Sequence, residues 1–474
     1  MKNKTIISGS TQAPVHTKKQ RSYAEVVEFL DAHWKANLND AGLTKLTKLD
    51  QAFGSISKKI PTIVVGGTNG KSLTIAFTAR LLREENLTVG TFTAPHILTY
   101  NERFNLNNVA IANKAFTDLA NEVINTAEAM GLALNSIEIL TMMALVHFAE
   151  QQVDVAIIEA QELGLPKTSM LLTPTVVGVT RIAEGASPAL NKATPELIKS
   201  FLHSVKTNSH VVSADQSKLN LQTMQELVEN IGGVWEMPIR KLAVLPYPFE
   251  QLHGRCAALA ERIATIFVNE VLNQNSVIVT ETLLTKIKGQ RGRPTLEAKR
   301  RSELNPKKTL DQFWKDTVNE LPGRFELLTK EKPTILLDNA SNLDAIRNLL
   351  LGIRLLQYQR PLKGLAIILG NNNPNIDMVE LLKLLRYFFK KSSGNIIICP
   401  STPHAENING APWNPELIAQ DLKNMKVKVR VAHTFTEAFA MAQSSVDERG
   451  GLIAISGSRE MVTEYWRTKG VKKV

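Results

Sequence analysis

Gly66, Gly67 and Gly70, followed at once by Lys71 and Ser72, have the composition of a loop that holds phosphate. Glycines let a backbone turn tightly and aim successive N–H groups at an anion, and a helix that starts there adds its positive end. A lysine closing such a loop supplies a mobile charge for outer phosphates, and a hydroxyl beside it can bind Mg²⁺. Only three residues separate Gly66 from Gly70, whereas the common phosphate loop has four between its glycines. The flanking elements agree with the chemistry. Thr62 to Val65 is a β-branched run that reads as a buried strand, and Leu73 to Glu84 repeats apolar residues at helical spacing.

The same alternation continues around the loop. Helical patterns over Tyr23–Trp34, Ala115–Met130, Ile137–Glu150 and Ala257–Leu272 intersperse apolar strands at Leu87–Ala94, Val153–Ala160 and Pro174–Ala183. Near-continuous apolar strands alternating with helices predict a parallel sheet covered on both faces. A second alternation follows Arg324, with strands at Pro333–Asp338, Gly364–Gly370, Asn395–Pro400, Lys426–Ala432 and Gly451–Ser458. Its functional edge is expected at the carboxyl ends of those strands. The division expected from this pattern is a flexible arm over 1–21, a phosphate-loop domain over 22–285, a basic linker or lid over 286–320 and a second α/β domain over 321–474.

Length and charge narrow the function classes. A chain of 474 residues exceeds one ordinary core. No apolar run approaches the roughly 18–20 residues of a membrane span, and the first residues have too short an apolar core for a signal peptide. Two cysteines, Cys256 and Cys399, exclude a disulfide framework and a cysteine metal site, which fits a reducing cytoplasm. Of the net charge of +11, the stretch Lys286–Lys308 carries most, with nine Lys/Arg against two Glu. Its Arg-Gly-Arg-Pro core is the type that enters an A·T-rich minor groove. A single copy without interleaved aromatics reads instead as a solvated loop or a patch steering anions to a cleft.

Four stretches in order carry a family resemblance: "VVGGTNGKS", "TFTAPHILTYNERF", "LPGRFELLTKEKPTILLDNASNLDA" and "GGLIAISGSREMV". A fifth, "SIEILTMMALVHFAEQQVDVAIIEA", resembles the helix and strand bearing the family's metal-binding glutamate. The chain resembles the folylpolyglutamate synthase/dihydrofolate synthase branch of the Mur ligase superfamily, whose loop has the shorter glycine spacing. The fold implied is a two-domain α/β protein, with an N-terminal phosphate-loop parallel-sheet domain for ATP and a smaller C-terminal Rossmann-like domain.

The resemblance implies ATP-dependent amide ligation, in which a carboxylate acceptor such as a folate is phosphorylated and attacked by an amine such as glutamate. Lys71, Glu159 and Arg324 would be catalytic. Gly67, Thr68, Asn69, Gly70, Lys71, Ser72, Arg324, Asp338 and Asn342 would hold nucleotide, the amides of Thr68 to Lys71 cradling the phosphates. His96, Asn101, Glu102 and Arg103 would face substrate, and Ser72 and Glu159 would bind Mg²⁺. A cytoplasmic monomer acting on small molecules is the implied setting. Residue-level alternatives are a solvated strand end for Glu159, a capping network for the 96–103 loop, an interdomain salt bridge for Arg324 and a helix N-cap for Asn342.

The chain departs from the family pattern around the chemistry. Ser72-Leu73 stands where the family has Gly-Ser, and "QELGLPKTSM" replaces a glycine-rich stretch after Glu159. Glu184 and Gly185 stand in place of an Asp-His pair whose histidine binds a second metal. Leu202 or His203 occupies the register of a carbamylated lysine, with Lys199 and Lys206 near but off register. Ser341 replaces the histidine of the family's D-G-A-H-N. A divergent ligase that uses Glu184 or Glu162 instead, a ligase for other substrates, and a nucleotide-binding relative without catalysis are the three readings these losses leave.

Overall fold

The computed structural model describes residues 19–34, 42–160, 168–183, 194–245, 247–271, 321–407 and 410–472. The basic stretch 286–308, the carboxylates Glu162 and Glu184, and nearly all of the expected arm lie outside them.

Two sheets organise these residues. The first comprises β1 (Thr62–Gly66), β2 (Val89–Phe92), β3 (Phe104–Leu106), β4 (Val109–Ala110), β5 (Val155–Glu159), β6 (Val176–Val179), β7 (His210–Ser213) and β8 (Val234–Trp235), in the order β4-β3-β2-β5-β1-β6-β7-β8. The pairs among β2, β5, β1, β6, β7 and β8 are parallel, and at one edge β3 pairs antiparallel with both β2 and β4. The second comprises β9 (Glu326–Leu328), β10 (Thr334–Leu337), β11 (Leu365–Leu369), β12 (Asn395–Ile398), β13 (Val429–Val431) and β14 (Leu452–Ser456), in the order β13-β12-β11-β14-β10-β9. Its one antiparallel pair is β9 with β10. The expected parallel α/β architecture is what forms.

Burial on both faces explains why the strands read as unbroken apolar runs. Successive side chains point to opposite faces. Val64 therefore joins one buried cluster, with the helices Asn113–Ala129 and Ser136–Glu150, while Ile63 and Val65 join another with Lys71–Glu84 and Phe249–Val271. In the second sheet Leu336 faces one cluster and Ile335 and Leu337 face the other. The helix expected at Ala257–Leu272 starts earlier, at Phe249, because Phe249 packs between clusters of both sheets.

Register then sets the site. Val65 of β1 lies opposite Glu159 of β5 and Gly178 of β6, so the phosphate loop, Glu159 and Thr180 leave the first sheet at one level. In the second sheet Leu337 pairs with Ile455 and Leu369 with both Ile398 and Ser456, which levels the starts of the loops at Asp338, Gly370, Cys399 and Gly457. Among the described residues no helix is long and apolar enough to cross a membrane.

Candidate active site

The carboxyl ends of both sheets open onto one cavity of about 630 Å³. The phosphate loop from Thr68 to Leu73, Glu159, Thr180 and Arg181 line it from the first sheet, and Arg324, Asp338 to Asn342, Asn372 and Ser458 to Glu460 from the second.

The loop's glycines are needed for different reasons. Gly67 has φ +123°, and an added Cβ would stand 2.1 Å from Thr180 Oγ1. Gly70, at φ +95°, is the residue from which the helix Lys71–Glu84 departs, and its Cβ would meet Cys256 Sγ at 2.7 Å. The amides of Thr68 and Asn69 both donate to the carbonyl of Arg181, at 2.9 and 3.4 Å. This corrects the expectation that they cradle phosphate: the strand-like bridge to Arg181 uses them. The donors that remain at this end belong to the first helical turn, which has no carbonyls of its own to bind. With the helix dipole they make an anion site.

Lys71 Nζ folds back over the loop, donating to Gly67 O at 2.8 Å and Thr68 O at 3.4 Å, and lies 3.8 Å from Glu159 Oε1. Glu159 is buried at the end of β5, and its Oε2 accepts from the backbone N–H of Ala94. From the other sheet Arg324 reaches Ser72 Oγ at 3.5 Å. Burial lowers its pKa, while Glu159 and Asp338 act against that shift. Four groups named from sequence, Lys71, Ser72, Glu159 and Arg324, thus converge on one place.

Asp338 directly follows β10 and accepts from the N–H groups of Phe325 and Ala340. Burial pushes its carboxyl up to about 6, against these bonds and Arg324. Asn342 is the N-cap of the helix Leu343–Gln359, its Oδ1 accepting from Ala345 N. The same side chain exchanges two amide hydrogen bonds with Asn69 of the phosphate loop, at 2.9 and 3.2 Å. Asn69 also donates to Asp344, which pairs with Arg181 at 2.9 Å. Nothing local marks Asp344 or Arg181, because their contacts join residues far apart in the chain, Asn69 to Asp344 across 275 positions and Arg181 to Asp344 across more than a hundred.

The 96–103 loop behaves differently. None of His96, Asn101, Glu102 or Arg103 lines the cavity. Glu102 accepts from the N–H groups of Ile97, Leu98 and Thr99, and Asn101 joins Tyr23 OH to the carbonyl of Ile111. Arg103 has no exposed surface and pairs with Glu406 of the second sheet. The contacts of Asn101 and Glu102 are those of a capping network, and Arg103 holds the two sheets together.

The donor set suits a hard divalent cation: Glu159 and the Ser72 hydroxyl both line the cavity, and Mg²⁺ commonly takes one or two protein oxygens, the rest coming from phosphate and water. Among the described residues no three His, Cys, Asp or Glu side chains gather as a metal cage. Both cysteines are free, and burial pushes the Cys256 thiol up to about 11, so no thiolate nucleophile faces the loop at neutral pH.

No family model matches the chain. Among curated proteins it is 27% identical over 320 residues to the dihydrofolate synthase/folylpolyglutamate synthase of Bacillus subtilis (strain 168), a match covering 65% of this chain and 71% of that one. Among solved structures it superposes on Mycobacterium tuberculosis folylpolyglutamate synthase complexed with ADP, with a TM-score of 0.72 and 18% identity over 95% of this chain and 99% of that one. A bifunctional folylpolyglutamate synthase/dihydrofolate synthase with Mn, AMPPNP and L-glutamate bound gives a TM-score of 0.70 and 16% identity, over 96% and 100% of the two chains. The ordered motifs, the two-sheet fold at nearly full length and the converging loop, glutamate and arginine agree: the chain is similar to the folylpolyglutamate synthase/dihydrofolate synthases, distantly in sequence and over nearly its whole length in fold.

Proposed function

We propose that this protein is an ATP-dependent ligase that joins the amino group of glutamate to the carboxylate of a pteroate or folyl acceptor, in the cytoplasm. The observation that carries the reading is the meeting of Lys71 and Glu159 with Arg324 at Ser72, where charges from both sheets surround the start of one helix. Phosphoryl transfer requires little covalent chemistry from a protein and much positioned charge. In this reading the first-turn amides and Lys71 hold the outer phosphates. Arg324 approaches them from the second sheet, so charge is complete only when the sheets are together.

The acceptor carboxylate oxygen takes the γ-phosphoryl group and ADP departs. The glutamate amine then attacks the acyl carbon, inorganic phosphate leaves, and the amine's proton goes to solvent or phosphate. Glu159 and Ser72 would hold Mg²⁺, which supplies neutralisation of the phosphate charge when bound. Asp338 and Asn342 line the same cavity, which supports a role for Asp338 as a nucleotide contact. Asn342 acts on the nucleotide through Asn69.

The reading is tested with purified full-length protein, Mg²⁺, ATP, glutamate and either dihydropteroate or tetrahydrofolate, following ADP release and incorporation of labelled glutamate. Turnover that requires all four components and is abolished in Lys71→Ala is the expected result. Nucleotide binding without turnover on either acceptor would contradict it.

A further inference from the structure

At the Pro95 side of the cavity a second set of contacts joins the sheets, and the ligation chemistry does not account for it. Glu406, in the loop after β12, accepts from Arg103 Nη2 at 2.6 Å and from Arg459 Nη1 at 2.8 Å through the same carboxylate oxygen. Arg103 comes from the first sheet, and Arg459 begins the helix Arg459–Thr468 of the second. The guanidinium of Arg103 lies 5.3 and 5.4 Å from the ring centres of Trp34 and Tyr100, and its Nε donates to His96 Nδ1.

The 94–103 segment is therefore held at both ends. On one side Ala94 N–H donates to Glu159. On the other, Arg459 donates to His96 O and Thr463 Oγ1 donates to Ile97 O at 2.7 Å. Glu102 ties the middle by accepting three consecutive amides. Any movement of the second sheet at Glu406 is transmitted along this stiff segment to the partner of Glu159. We propose that Glu406 is a positioning residue: its carboxylate, shared by one arginine from each sheet, closes the Pro95 side of the cleft and thereby sets Glu159 in its working place.

The physics makes the carboxylate hard to replace. Burial alone would favour the neutral acid, but Arg103 and Arg459 outweigh it and hold Glu406 down to about 2. Without that charge Arg103 and Arg459 lose the anion they share; Glu460 stays 3.3 Å from Arg459 Nη2, but no carboxylate then joins the two guanidiniums, which repel across the sheets.

The test uses the full-length protein and Glu406→Gln, which preserves size and removes charge. For turnover, which rests on the ligase reading, kcat should fall about 10- to 100-fold with KM for ATP changed less than about threefold, because the phosphate-loop contacts lie elsewhere. Glu406→Asp, which restores the charge, should recover part of the loss. Independently of turnover, hydrogen exchange without substrates should quicken at least about tenfold across 94–103 and 459–463, while β10 and β14 stay as slow as in the wild type. Wild-type protein that never turns over would defeat the ligase reading and leave the exchange arm to decide the clamp. A folded Glu406→Gln protein with unchanged exchange in both segments would overturn the proposal. Equal acceleration in β10 and β14 would do the same, by reducing Glu406 to general stability. Should Glu406→Gln fail to fold, Thr463→Val removes the hydroxyl's bond to Ile97 O across the sheets, together with its bond to Arg459 O within its own helix. It should quicken exchange in 94–103 about threefold or more, and no change there would also overturn the proposal.

Discussion

Gly67 has the most restrictive surroundings of the loop residues, since a side chain there would need both a φ of +123° and the space occupied by Thr180 Oγ1. Gly67→Ala is expected to cost about 2 kcal/mol or more in urea unfolding and to weaken nucleotide binding at least about tenfold by calorimetry. Asp338 gives a pH prediction. Its carboxyl, raised from an ordinary 3.8 to about 6, keeps its proton in the folded protein after the unfolded chain has lost one. The folded state thus binds more protons in that window, and this group's contribution to stability falls as pH rises from about 4 to about 6. Urea midpoints across that range should show Asp338→Asn gaining on the wild type with each step up in pH. A constant difference would mean that Asp338 does not titrate there. Most of these residues were legible because glycine, lysine and acidic residues at strand ends have local signatures. The spending of the Thr68 and Asn69 amides on Arg181 was not, because the backbone partner lies more than a hundred residues away.

Elements follow periodicity where burial is continuous. β1, β5, β6, β10, β11, β12 and β14 all read as apolar runs because both faces are covered; β1 runs one residue past its expected Thr62–Val65, and the others fall within their expected stretches. The strands that escaped notice, β3, β4, β7, β8 and β9, have two to four residues each, and all of them lie at or beside a sheet edge. In β3, β4, β8 and β9 too few side chains are buried to impose a pattern, and β7, though buried, is too short for one. Capping chemistry fixes where a helix starts. Asn135 and Glu138 accept from each other's backbone at the start of Ser136–Glu150, a helix buried almost throughout. Asn135→Ala should therefore destabilise the protein by about 1–2 kcal/mol in urea, with activity per folded molecule unchanged. A change below about 0.3 kcal/mol would show that the cap is dispensable.

At the scale of the molecule, sequence indicated two α/β units and a cleft, but not how the units grip each other. The amide exchange between Asn69 and Asn342 is one grip, and it places a phosphate-loop side chain on the second sheet's helix N-cap. Asn69→Ala and Asn342→Ala should each weaken ATP binding. Combined in a double-mutant cycle they should fall short of additivity by about 0.5–1 kcal/mol, because either one alone breaks the pair. Strict additivity would uncouple the two residues. The resemblance carried the assignment further than residue chemistry could, since the family's losses at Ser341 and at Leu202 or His203 leave the loop, Glu159 and Arg324 in register.

The central claim is that these groups make an amide bond at the expense of ATP. Its most direct measurement is the stoichiometry of ADP released to labelled glutamate incorporated into a pteroate or folyl acceptor by the full-length protein. One ADP per amide and no product from Lys71→Ala are the expected results. ADP release that is indifferent to glutamate and acceptor, or incorporation that survives in Lys71→Ala, would contradict it.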